Sequence, residues 1–85
     1  MSADTIARRV AVLISREFRV DLDRVTPETK LEALGADNID VVNLALDIED
    51  EFRFRLTADE MQALDVGTVA DVIQIAEASL QQAAA

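Results

Sequence analysis

From about Thr5 to Phe18 the apolar residues Ile6, Val10, Leu13, Ile14 and Phe18 recur at three- and four-residue steps. That spacing lines one face of a helix with 3.6 residues per turn, so a first helix is predicted there. Arg8, Arg9, Arg16 and Glu17 fall off the stripe, and Ser2 or Asp4 is placed to cap the first turn. The periodicity then stops. Residues 20–34 hold Asp21, Asp23, Thr26, Pro27 and Thr29, which suit a long irregular connection pinned by Leu22, Val25, Leu31 and Leu34.

Gly35 can supply a positive φ, and Asp37 with Asp40 three residues later resembles a capping box that opens a second helix running to about Phe52. At 100° per residue Val41, Leu44, Ala45, Ile48 and Phe52 share one arc, as a core-facing stripe should. A second apolar row, Ile39, Val42 and Leu46, lies well away from it, with Asp40, Asn43, Asp47 and Asp50 on the other side. That row serves either packing against the next helix or contact with a partner.

Arg53 to Leu56 reads as a short extended link, and Thr57-Ala58-Asp59-Glu60 as a capping box for a brief third helix through about Leu64. Thr68-Val69-Ala70-Asp71 resembles another cap, after which Val69, Val72, Ile73, Ala76 and Leu80 share one helical face. The result is an all-α bundle of three longer helices and one short one. It forms a single domain over residues 1–85, with about 81–85 expected to fray.

Composition sharpens this picture. Eighty-five residues suit one domain with a radius of gyration of roughly 12 Å. Ala supplies 14 residues, so Val, Ile, Leu and three Phe must build the core. The formal charge of −9 is concentrated: residues 37–52 carry six acids and no base, whereas residues 1–36 are balanced. Such a field disfavours nucleic acid and anionic membranes and favours basic protein partners. The start shows no signal-peptide pattern and no run reaches the ~18 apolar residues of a membrane span, so an untargeted, cytoplasmic monomer with no membrane insertion is expected.

The chemical repertoire is narrow. Without His or Cys, neutral-pH proton transfer would need a carboxylate shifted by its surroundings, and no nucleophile elbow, phosphate cradle or metal-ligand cluster accompanies the acids. An enzyme is therefore not expected, nor a metal. Asp21-Leu22-Asp23 lacks the central Gly and terminal Glu of a calcium loop.

The stretch Leu34-Gly35-Ala36-Asp37-Asn38-Ile39-Asp40, with Glu49-Asp50-Glu51-Phe52, resembles the acyl carrier protein family around its L-G-x-D-S-L-D motif. The likeness extends to Val25-Thr26-Pro27 and Thr68-Val69, and so spans most of the chain. It implies a four-helix carrier whose motif Ser receives 4'-phosphopantetheine from coenzyme A and then bears acyl groups in fatty-acid or polyketide-type biosynthesis. It also implies partners with basic docking patches, a phosphopantetheinyl transferase and acyl-processing synthases. The matching acids are Asp37, Asp40, Glu49 and Asp50, with Asn43 at a position more often acidic, and the matching apolar residues are Ile39, Val42 and Leu46.

One departure decides what the chain can carry. Asn38 stands where the resemblance places the modified Ser, and its carboxamide has no hydroxyl to form the phosphodiester. Ser2, Ser15, Ser79, Thr57 and Thr68 offer no replacement, so the chain is expected to stay without the cofactor. A small polar residue there can still bond the free N–H groups of the helix start. Either a carrier was held in the apo form by a Ser-to-Asn change, or a carrier-like protein lost attachment and became a non-covalent interaction module.

Overall fold

The stripes predicted from the sequence become four helices: α1 (Ala3–Phe18), α2 (Asn38–Phe52), α3 (Ala58–Val66) and α4 (Val69–Ala84). They are seen in a computed structural model that describes the backbone of residues 3–84 and the side chains of residues 4–80. Two short 3-10 turns, Leu22–Arg24 and Leu31–Leu34, punctuate the connection between α1 and α2. The described residues contain no strand, only an isolated antiparallel bridge between Lys30 and Thr68. The radius of gyration is 11.6 Å.

Each long helix buries the face its periodicity marks. Ile6, Val10 and Ile14 of α1 meet Val41, Leu44, Ala45, Ile48 and Phe52 of α2 and Val69, Val72 and Ala76 of α4, with Leu64 as the one buried residue of α3. Leu13, Phe18, Ile73 and Leu80 are half-buried against this core. Burying a Val, Leu, Ile or Phe side chain contributes about 1.5–3 kcal/mol, which in a chain without disulfides must offset the ordering of the backbone. α1 lies against both α4 and α2, while α3 crosses beside α2 and the Leu31–Leu34 turn.

The long connection is held from its far end. Leu31 N–H donates to the Gly67 carbonyl at 3.1 Å, Val69 N–H to Thr29 at 2.9 Å and Ala70 N–H to Pro27 at 2.9 Å. These bonds stitch residues 27–31 to the joint between α3 and α4 and deliver Leu31 and Leu34 into the core. At that joint a Cβ on Gly67 would lie 2.8 Å from the Ala63 carbonyl oxygen, so only Gly fits. Leu22 does not pin the connection as expected: it is 45% exposed, because it opens the three-residue 3-10 turn Leu22–Arg24, which buries no residue and runs over the surface. Val25 is half-buried.

The caps behave largely as read. Thr57 Oγ1 accepts from Glu60 N–H at 3.1 Å while a Glu60 carboxylate oxygen accepts from Thr57 N–H at 2.9 Å, and Thr68 and Asp71 make the same reciprocal pair. α3 continues to Val66, two residues past the expected end. Asp4 lies inside the first turn of α1, where its charge meets the positive end of the helix, and is not the residue before it. Ser2 lies outside the described residues. Of the tail expected to fray, residues 81–84 continue the α4 helix, and their side chains and Ala85 are outside the described residues.

Candidate functional site

The start of α2 is shaped by two local devices. Gly35, at φ 84°, turns the chain out of the Leu31–Leu34 turn, its N–H donating to the Glu32 carbonyl at 3.0 Å. Asp37 then caps the helix: its Oδ1 accepts from Asp40 N–H at 2.8 Å, and Asp40 Oδ2 accepts from Asp37 N–H at 3.2 Å. Asn38 is the first helical residue and is exposed. Asp37 and Asp40 form the capping box the sequence predicts, so Asn38 is not called on to bond the free N–H groups there, and its carboxamide makes no hydrogen bond among the described residues.

Around α2 the residues sort by the direction they face. Ile39, Asn43, Leu46 and Asp50 follow one another at three- and four-residue steps on the side away from the core, Ile39 being 70% and Leu46 53% exposed. Asp40, Asn43 and Asp47 line a groove of about 570 Å³ shared with Leu13, Arg16, Glu17, Phe18 and Arg19 at the end of α1. Val42 turns the other way. With Asn38 and Val41 it borders a groove of about 320 Å³ whose far wall is Met61, Gln62 and Asp65 of α3.

The second apolar row therefore divides: Ile39 and Leu46 point to solvent, and Val42, 51% exposed, edges the α2–α3 groove. Met61, Gln62 and Asp65 were not singled out from the sequence. Their short helix has a weak apolar stripe, and only the pairing of α3 with α2 brings them beside Asn38.

Glu49 has a structural duty. Its side chain accepts from Leu56 N–H at 2.8 Å and its carbonyl from Phe54 N–H at 3.2 Å, fastening the link after α2, where Arg53 adopts the left-handed conformation at φ 57°. Glu51 forms a 3.1 Å ion pair with Arg9 of α1. Asp50, exposed, has neither role.

Where α1 ends, Glu17 faces the acids of α2. Its carboxyl pKa is raised, first by the hydrogen bond it makes with Asp47, then by partial burial and the negative charges of Asp47 and Asp40, against which Arg19 acts. The acids of α2 thus act on a carboxyl of the neighbouring helix. No group of three or more His, Cys, Asp or Glu is placed to hold a metal among the described residues, and no helix there is long and apolar enough to cross a membrane.

Residues 8–76, which include the whole of α2 and both its grooves, match the family model described as "Phosphopantetheine attachment site". The chain belongs to the acyl carrier protein family. It is 36% identical over 80 residues to the acyl carrier protein of Thermotoga maritima, covering 93% of this chain and 96% of that protein. It is 32% identical over 75 residues to that of Lactobacillus johnsonii, covering 87% and 91%. A third relative, acyl carrier protein 1, chloroplastic, of Hordeum vulgare, is 36% identical over 70 residues, 81% of this chain and 46% of the barley protein. Like other acyl carrier proteins, the chain is a carrier-type protein and not an enzyme.

Proposed function

We propose that this chain keeps the docking surface of an acyl carrier protein but is closed to the cofactor, so that it engages the enzymes of fatty-acid or polyketide-type biosynthesis without a covalent arm. The observation that carries this is the pairing, on one helix, of an outward face of Ile39, Asn43, Leu46 and Asp50 with Asn38 at its first residue. Exposed apolar side chains ringed by acids suit a partner with an apolar centre and a basic rim.

The residues present do not fit a phosphopantetheine arm. The attachment is a phosphodiester to a hydroxyl, and Asn38 has none. Ser15 Oγ is committed to the Val20 carbonyl at 2.6 Å, and the Thr57 and Thr68 hydroxyls cap α3 and α4. With no arm, the contribution of the chain lies in binding. Asp37, Asp40 and Asp50 supply the charge that steers a basic partner, while Ile39 and Leu46 supply apolar area. Glu49 contributes chiefly by holding the helix end in shape.

Titrating the isotopically labelled chain with a phosphopantetheinyl transferase, followed by NMR, tests the docking. Shifts centred on Ile39, Asn43, Leu46 and Asp50, weakened by salt and by Asp50→Lys, are expected. A transferase that leaves these resonances unmoved would remove the proposal.

A further inference from the structure

On α1, sharing Leu13 and Arg16 with the groove along α2, lies a second groove in which bases outnumber acids. Arg8, Arg9 and Arg16, three of the chain's eight basic residues, border this groove of about 440 Å³ with Asp4, Thr5, Val12, Leu13 and Glu51. Val12 and Leu13 are half-buried and form its apolar floor. Arg9 is taken by the ion pair with Glu51, but Arg8 and Arg16 are exposed and make no ion pair among the described residues. Arg8, Val12 and Arg16 follow at four-residue steps and stand on one face, the two guanidinium groups rooted about 12 Å apart along the axis.

We propose that this groove docks an acidic amphipathic helix of a partner protein, with carboxylates about two turns apart on Arg8 and Arg16 and an apolar residue between them on Val12 and Leu13. Arginine is more weakly hydrated than lysine and grips a carboxylate with two parallel N–H bonds, so exposed arginines flanking an apolar floor suit contact with a carboxylate-bearing surface. A short helix laid along α1 meets few acids of α2: Glu51, paired with Arg9, and, at the Arg16 end, Asp40 and Asp47 of the adjoining groove. Nucleic acid or an anionic membrane would also meet the acids of α2 and a total charge of −9, which repel an extended polyanion, and the same charge opposes a second copy of this chain. With α2 offered to basic partners, the chain then has two docking faces of opposite sign, an arrangement suited to bridging two proteins.

The test is an NMR titration of the full chain with a synthetic helical peptide of about four turns, carrying Glu residues two turns apart with Leu between them. Shifts confined to Arg8, Val12, Leu13 and Arg16 are expected, with at least about tenfold weaker binding to the Arg8→Glu/Arg16→Glu variant. Should the double reversal unfold, Arg8→Gln/Arg16→Gln serves for the same comparison. The proposal falls if the peptide leaves α1 unshifted or binds the variants equally well. It also falls if the α1 shifts follow protein concentration alone, or if vesicles of equal phosphatidylcholine and phosphatidylglycerol produce them in place of the peptide.

Discussion

The Glu49 carboxylate accepts the N–H of Leu56 at 2.8 Å, so an acid that the family resemblance assigns to docking also secures the turn between α2 and α3. Its neighbour Asp50 faces solvent. The two acids differ by one position and about 100° around the helix, and that rotation separates a structural role from a free one.

Glu49→Ala should therefore destabilise the fold by about 1.5–3 kcal/mol, the range for a hydrogen bond to a charged group, whereas Asp50→Ala should change stability by less than about 0.5 kcal/mol. Urea denaturation of the two variants checks this. Equal midpoints would mean that the Glu49 bond contributes nothing.

At the α3–α4 joint, Gly67→Ala places a methyl 2.8 Å from the Ala63 carbonyl oxygen, and the neighbouring N–H groups that bind residues 27–31 must move with it. A loss of about 1–3 kcal/mol is expected. Gly35→Asn, at φ 84° with open space around its Cβ, should be far milder, since Asn tolerates the left-handed region. Thermal melts of both variants give the comparison.

The raised pKa of Glu17 carries a definite sign. Its folded pKa lies above the unfolded value, so the folded state holds the proton more tightly and this contribution is full below the ordinary carboxylate pKa. It is lost as the pH rises through the raised value. Glu17→Gln, which keeps a donor for Asp47 without the charge, should raise stability at neutral pH and flatten this part of the pH profile. Melting curves across the carboxylate range check it, and an unchanged slope in the variant would count against the Glu17–Asp47 pair.

Six acids and no base between residues 37 and 52 repel one another within a helix of fifteen residues and its cap. Raising sodium chloride to about 0.15 M, where the screening length is about 8 Å, should lift the melting temperature by a few degrees. A salt-independent melting temperature would show that the fold does not feel the cluster.

Local order was legible in the sequence and long-range order was not. The buried set of α2, Val41, Leu44, Ala45, Ile48 and Phe52, follows directly from its 3.6-residue period, and the pairs Asp37/Asp40, Thr57/Glu60 and Thr68/Asp71 follow from their three-residue spacing. The exposure of Leu22 was misjudged because an irregular segment has no period to say which side faces in. The bonds from Leu31 to Gly67 and from Leu56 to Glu49 join residues distant in sequence or off the helical repeat, and no pattern announces them. At the site, the sequence marked Asn38, Ile39 and Leu46, but the division of the apolar row and the α3 wall of Met61, Gln62 and Asp65 depend on how two helices pack.

Intact-mass spectrometry of the chain and its Asn38→Ser variant, each incubated with coenzyme A and a permissive phosphopantetheinyl transferase, tests the central claim most directly. The account predicts that the chain keeps its mass while the Ser variant gains one phosphopantetheine. A gain on the unaltered chain would show that another residue accepts the arm; no gain on a folded Ser variant would show that the docking face no longer serves a carrier's transferase, and either result would contradict the account.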